Sequence, residues 1–439
     1  MNRSLAAWNP LDWPITTGVV PYTLLVAGSA ALLLLVLVPA PRWWPLRLPA
    51  AALGAAAAGV LVALTVNTWW QPFAGGLPDE VTGWIALALF GLALAVARFV
   101  PTAPPRTVGK VLVPAAAVLV AVMAASQVNR FYDEYGTLRA MLAPATQALP
   151  TGRDPHTVAA PSGGTLAQVW HPPPGLPARG TLARTPIPGT KSGFKARDAY
   201  VWLPPAYRAS PRPLLPVLVL MAGQPGSPSD WVSSGQLETT MNAFAAAHGG
   251  LAPIVLMVDQ TGSTWGNSLC MDSRIARAQT YLAEDVPDWA RHHLQTAEGR
   301  RAWAIGGLSL GGTCALQLAV NAPRVYGTLL DISGQREPTL GSHQKTVDTA
   351  FGGDEAAFDA VDPLHVMARE RFPDTAATFV VGDADGEYGP QQREVHTAAV
   401  AAGMKARFMT VPGGHDWNTF RAGLADNVTW LAQQTGLIT

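Results

Sequence analysis

Ala302-Trp303-Ala304-Ile305-Gly306-Gly307-Leu308-Ser309-Leu310-Gly311-Gly312-Thr313-Cys314-Ala315-Leu316 decides how this chain is read. The apolar run 302–305 has the length of a strand, and 310–321 has the period of a helix. Between them, Gly307-Leu308-Ser309-Leu310-Gly311 fits G-x-S-x-G, in which a serine stands on a sharp turn from strand to helix. The glycines answer a steric need, since the neighbours of a residue held in so tight a turn must have almost no side chain. Ser309 then projects above the sheet edge as a candidate nucleophile. A glycine-rich turn without chemistry is the plain alternative, and the strand before and helix after the motif argue against it.

Outward from this turn, strand-length apolar runs at 199–203, 216–221, 254–258, 328–332, 378–381 and 408–411 alternate with helical segments at 231–248, 273–292, 391–402 and 417–434. Strands alternating with helices predict an α/β domain: a mostly parallel sheet with helices on both faces. The domain is expected over 189–439.

A serine hydroxyl is a weak nucleophile at neutral pH and needs a base. His415, in Pro412-Gly413-Gly414-His415-Asp416-Trp417, follows the last strand and precedes the last helix, where such a base belongs. His292 and His293 lie on a helical surface instead, and His343, His365 and His396 lack a post-strand loop position. The acid that orients the imidazole should follow strand 378–381, where Asp383, Asp385 and Glu387 compete; Asp385 is preferred, then Asp383, then Glu387. The D-x-D-G pattern there also resembles a calcium loop, but the later acidic ligand at that spacing is missing. Negative charge on a tetrahedral intermediate needs preorganised N–H donors. Leu310, next to the serine, would supply one, and Gln224 the other, because it follows strand 216–221 and the next residue, Pro225, has no N–H.

With these residues placed, 196–434 resembles the α/β-hydrolase group that contains esterase D, the feruloyl esterases and the antigen-85-type mycolyltransferases. The matching pieces are Val201-Trp202-Leu203-Pro204-Pro205-Ala206-Tyr207, the loop 222–231, Tyr281-Leu282-Ala283-Glu284-Asp285-Val286-Pro287-Asp288-Trp289, the elbow 307–312, 382–385 and 413–417. The resemblance implies an acyl-transfer serine enzyme with Ser309, Asp385 and His415 as triad. Two departures limit it: Ala222 stands where the group carries a polar residue, and the mycolyltransferases use Glu as acid and an Arg beside the oxyanion donor, where this chain has Asp385 and Pro225. Mycolyl transfer to trehalose does not follow.

The N-terminal part is of another kind. Of 60 charged side chains, residues 1–128 hold only 9, and four apolar stretches, about 17–40, 47–69, 82–100 and 108–128, are long enough to cross a hydrocarbon core. They predict a four-helix transmembrane domain over 1–128, fused to the hydrolase by a juxtamembrane helix and linker over 129–188. The first stretch is too long for a cleaved signal peptide and is followed by a second span across a turn at Pro41, Trp43 and Trp44. Arg42, Arg47, Arg98, Arg106 and Lys110 fall at connections on one side, while 70–81 carries Asp79 and Glu80 and no basic residue. Basic connections stay in the cytoplasm, which puts the N-terminus and the catalytic domain on the extracytoplasmic side of a plasma membrane. No ionisable residue sits mid-span, which argues against a transporter.

Thirty basic and thirty acidic side chains leave no net charge, and no basic stripe, so a nucleic-acid partner is excluded. Two cysteines, Cys270 and Cys314, cannot make a disulfide framework or a four-cysteine zinc site; no metal or cofactor is expected. Cys314 reads as a small core residue, and an extracytoplasmic location permits a disulfide between the two. Trp231, Trp265 and Trp417 fall at the catalytic edge, where they either line an acyl pocket or pack the core. The expected function is a membrane-anchored esterase or acyltransferase of the cell envelope, acting on a lipid or glycolipid ester. The rival is a catalytically idle binding or scaffold protein on the same fold.

Overall fold

The computed structural model describes residues 9–38, 42–70, 76–99, 107–150 and 152–439, and it divides into two units, 1–142 and 143–439. Pro41 and Arg106, part of the connections read above, lie outside the described residues.

The first unit holds four long apolar helices: α1 (Val19–Leu37), α2 (Leu48–Leu64), α3 (Asp79–Phe99) and α4 (Thr107–Tyr132). By length and composition each is able to cross a membrane, α2 with the turns that extend it to Trp43–Trp70. They pack through small residues. Ala51, Ala55 and Gly59, four apart, form the buried stripe of α2, and a side chain at Gly59 would run into Ala86 on α3. Gly91 of α3 likewise lies against Val120 of α4. Small residues let helices approach where no hydrophobic drive separates protein from lipid. Arg98 reaches from the end of α3 to the last carbonyls of α1, with 2.6 Å to the Val38 oxygen, and its guanidinium lies 3.9 Å over the Trp43 ring. A cation there completes carbonyls that α1 leaves without helical partners. Helix α4 runs on to Tyr132, so the juxtamembrane helix expected from 129 is only its last turn, and a turn at Leu138–Met141 follows.

The second unit is built on an eight-stranded sheet: β1 (Thr181–Thr185), β2 (Ala199–Leu203), β3 (Val217–Met221), β4 (Ile254–Val258), β5 (Trp303–Leu308), β6 (Thr328–Ile332), β7 (Ala376–Gly382) and β8 (Lys405–Val411). Their spatial order is β1-β2-β4-β3-β5-β6-β7-β8. Strand β2 runs antiparallel to both neighbours and the rest are parallel. Strands β3, β4 and β5 are buried along their whole length, as apolar strands covered on both faces must be. The chain leaves β3 toward β4 on one side and returns to β5 on the other. The crevice at the carboxyl ends of β3 and β5 is therefore the topological switch point, where open α/β sheets place their ligands.

Several segments differ from the sequence reading. The helix expected at 231–248 is broken: a turn at Asp230–Ser233 precedes α5 (Leu237–Ala247), with Gln236 left-handed between them. Of 273–292 only the later part is helical, ending in α6 (Val286–His293). Helix α7 (Leu310–Asn321), which Ser309 heads, and α8 (Tyr388–Ala401) follow, and the last segment divides into α9 (Trp417–Ala425) and α10 (Val428–Gln434). Finally, 150–188, expected as a linker leading into short edge strands, does end in an edge strand of the sheet, β1, but it is also packed: Leu166, Trp170, Leu182 and Ile187 belong to the core of the catalytic unit.

Candidate active site

Ser309 follows β5 with φ 52° and ψ −123°, a conformation L-residues rarely adopt, and its N–H is tied to the Ile332 carbonyl of β6 at 2.8 Å. Such strain persists only where the surroundings over-determine it. Here they do, because Gly307 and Gly311 abut one another and the end of β3, at the Met221 carbonyl, leaving no room for a Cβ at either. Helix α7 then runs inward with Leu310 to Val320 all buried.

His415 sits in the turn after β8, held by Asp416, which caps α9 by accepting from the N–H groups of Asn418 and Thr419 and also accepts from Gly414 at 2.8 Å. The imidazole Nε2 lies 3.0 Å from Ser309 Oγ and Nδ1 lies 3.1 Å from Asp385 Oδ2. The other oxygen of Asp385 accepts from the Tyr388 N–H at 2.9 Å. Burial pushes the Asp385 carboxyl up, but the His415 imidazole and the Tyr388 N–H outweigh it and hold it below the ordinary carboxylate value. It stays charged and fixes which imidazole nitrogen faces the serine. Of the two competing carboxylates, Asp383 accepts from the Gly413 N–H at 3.1 Å, bracing the histidine turn, and Glu387 is exposed, its carboxyl raised by partial burial.

Two residues that the sequence reading missed shape the imidazole's pocket. Tyr388 stacks on His415 with centroids 4.1 Å apart, and Phe420 meets it edge-on at 5.2 Å. Tyr388 opens α8 three residues after Asp385 and Phe420 lies one turn into α9. That spacing is the one signal for them.

On the other side of Ser309, a side chain on Gly223 would touch Leu308 and Ser309, its Cβ position lying 3.0 and 3.3 Å from their side chains. The segment carrying Gln224 is thus pressed against Ser309, and among the described residues the N–H groups of Gln224 and Leu310 make no backbone hydrogen bond. Arg197 fastens this segment: its guanidinium grips the fully buried Asp259 at 2.8 and 3.0 Å and donates to the Gly226 carbonyl at 2.9 Å. Burial alone would raise Asp259; the guanidinium brings it below the usual value. The Gln224 side chain is committed, its amide nitrogen to the Trp265 carbonyl and its oxygen to Asn267.

The tryptophans divide. Trp231 and Trp417 are buried and meet edge-on at 6.0 Å, with Trp231 donating to the Met221 carbonyl, so both pack the core; Trp265 is half exposed. Cys270 and Cys314 form a disulfide, fastening the loop after β4 to α7.

Comparison with known proteins agrees with this architecture. Residues 195–431 match the family described as "Putative esterase". An uncharacterized protein of Corynebacterium glutamicum is 37% identical over 390 residues, covering 85% of this chain and 88% of that one, so the likeness reaches beyond the catalytic unit. The iron(III) salmochelin esterase of Escherichia coli is 24% identical over 171 residues, 36% of this chain and 39% of its own. Among solved structures, a ferulic acid esterase superposes with a TM-score of 0.51 at 16% identity, over 58% of this chain and 98% of that one.

Proposed function

The chain belongs to the esterase family, and from that premise we propose that it is a membrane-anchored serine esterase or acyltransferase whose nucleophile is Ser309. The observation that carries the reading is the unbroken line from Asp385 through His415 to Ser309, at 3.1 and 3.0 Å. In the forward step Ser309 Oγ attacks the ester carbonyl while His415 Nε2 takes its proton. Asp385 holds the imidazolium and does not itself take the proton. The N–H groups of Leu310 and Gln224 receive the oxyanion. Collapse breaks the bond to the alcohol, which leaves with the proton from His415, and the acyl group stays on Ser309. Water then completes hydrolysis, or a sugar or lipid hydroxyl completes transfer, by the same steps in reverse.

The four apolar helices of the first unit favour a substrate carried in or on a lipid bilayer. Arg42, Arg47 and Arg98 at one set of connections, against Asp79 and Glu80 at the other, favour a topology with the N-terminus and the catalytic unit outside the cytoplasm of a bacterial cell. The Cys270–Cys314 disulfide supports that side, since such bonds persist in oxidising compartments. Labelling of detergent-extracted protein with a fluorophosphonate probe tests the nucleophile. Labelling of wild type that disappears in Ser309→Ala and in His415→Ala is expected. A probe that marks the Ser309→Ala protein equally would remove Ser309 from this role.

A further inference from the structure

Beside the segment that carries Gln224 lies a second concavity of about 630 Å³. Three stretches wall it: 192–195, 261–262 with 266–268, and 273–277. Strand β2 is antiparallel, so the chain just before it reaches the same sheet edge as the chain just after β3 and β4. The concavity thus opens at the catalytic edge. Asn267 belongs to its wall and also donates to the Gln224 side chain at 3.0 Å, so the cleft and the oxyanion segment share one hydrogen-bonded partition. The disulfide at Cys270 then fixes this wall to α7, the helix that Ser309 heads.

The charge of the lining is one-sided. Lys195, Arg274 and Arg277 line the cleft and no Asp or Glu does. Cations next to it are neutralised: Lys191 pairs with Glu284 and Asp288 at 3.1 and 2.8 Å, and Arg197 pairs with Asp259. Among the described residues, the three lining cations make no ion pair; Arg277 donates only to the Lys191 carbonyl and the Thr280 hydroxyl. A chain of zero net charge therefore gathers three uncompensated positive charges in one concave wall. Concave, low-dielectric walls focus such a field and attract the opposite charge. Arginine forks match phosphate and carboxylate oxygens two at a time.

We propose that this cleft binds an anionic group, a phosphate or a carboxylate, carried by the ester on which Ser309 acts, and so selects anionic esters over neutral ones. The proposal rests on the reading of Ser309 as nucleophile. The anion comes either from a lipid headgroup or from a soluble ester, and the wall contacts are the same for both.

The test uses the full chain in detergent, as wild type and as the double variant Lys195→Gln/Arg274→Gln; both side chains are exposed and take no part in the core. One pair of substrates is phosphatidylglycerol and phosphatidylcholine in mixed micelles; the other is mono-4-methylumbelliferyl succinate and 4-methylumbelliferyl butyrate. The reading is the ratio of kcat/KM for the anionic ester over the neutral one. That ratio is expected to fall about tenfold or more in the double variant, as loss of charge-assisted contacts dictates. A fall in the lipid pair alone identifies a headgroup and a fall in the soluble pair identifies a soluble ester. An unchanged ratio in both pairs overturns the cleft. If wild type neither turns over an ester nor takes the fluorophosphonate, the catalytic reading has failed by itself. Calorimetric titration with inorganic phosphate then decides the cleft: binding by wild type and not by the variant upholds it, and equal or absent binding overturns it.

Discussion

Helices α1 and α7 are both apolar in sequence, yet they meet opposite surroundings. In α7 every residue from Leu310 to Val320 is buried in protein, whereas in α1 only Pro21, Gly28, Ala31 and Leu35 are. Val19 and Val26 on α1 are 80% and 69% exposed. A surface helix in water shows one apolar stripe and a polar back, and α1 has no polar back. Its outward side chains call for an apolar solvent, which a bilayer supplies. Helix α7 satisfies the same composition inside the core, where strain at Ser309 is held by close packing. The two units therefore use apolar residues differently: one leaves them on the outer faces of its helices, as the proposed bilayer contact would require, and the other holds a strained serine beside a histidine.

If packing around α7 serves that serine, the largest effect must come from its hydroxyl. Ser309→Ala is expected to lower kcat on an activated ester about 10⁴-fold or more, because the triad members act as a unit. Its melting temperature should stay close to wild type, since one oxygen is lost and the backbone is untouched. A variant that keeps a tenth of the activity would sever the link between elbow and chemistry. Next in size is the bond that anchors α7 to the loop after β4. Cys270 and Cys314 are separated by 44 residues, and closing a loop of that length in the unfolded chain is worth ~4 kcal/mol in the chain-entropy description. Cys270→Ser/Cys314→Ser, followed by chemical denaturation of the catalytic unit's signal, should show a loss of that order.

Packing of this density also has an electrostatic side. Asp331 ends β6 beneath Gly312, fully buried, with Oδ1 accepting from Gly334 at 2.9 Å and Oδ2 without a hydrogen-bond partner. Burial pushes its carboxyl up to about 7, against the opposing pull of Gln392 and the Gly334 N–H. The folded state then holds a proton that the unfolded chain has released. Stability should be full below the ordinary carboxylate value of 3.8 as far as this group is concerned. It should decline as pH rises toward 7, by at most roughly 1.4 kcal/mol per pH unit, and level off above. Asp385 runs the other way: its depressed value stabilises the fold above the unfolded carboxylate value, and that part is lost only as pH falls through the folded one. Asp331→Asn, which imitates the protonated acid, should flatten the decline between pH 4 and 7 in thermal melts. An equally steep decline in the variant would assign it to another group.

What the sequence made legible follows from how local each signal is. The elbow was readable because its glycines are required within five residues, and His415 because its turn lies between a recognisable strand and helix. The four apolar helices of the first unit were readable for a related reason: a span is a property of one continuous stretch, whatever it packs against. Short edge strands were expected after the linker, but the bounds of β1 were not legible, because a five-residue edge strand in Pro- and Gly-rich surroundings owes its place to pairing with β2. Trp231 and Trp417 could not be sorted into pocket or core for the same reason, since burial depends on partners far away in sequence. The meeting of Cys270 with Cys314, and of Lys195 with Arg274 and Arg277, likewise joins segments whose approach only the folded sheet creates.

The smallest expected effect bears most directly on the contrast between the units. Val60 on α2 and Val400 on α8 are exposed to nearly the same degree, 57% and 50%. In water an exposed valine is replaced by arginine at little cost, within about 0.5 kcal/mol, because the charged head stays hydrated. Toward hydrocarbon the same change costs about 2.5–3.5 kcal/mol at the centre of a span, less wherever the side chain can reach the interface. Val400→Arg should therefore leave membrane integration and melting temperature unchanged, while Val60→Arg should reduce the share of protein that resists carbonate extraction. Matched exposure separates the solvent from the packing, so the difference between the two variants measures the surroundings alone. Equal behaviour of the pair would mean that the outer faces of α2 and α8 meet the same medium, and the lipid reading of the first unit would fall with it.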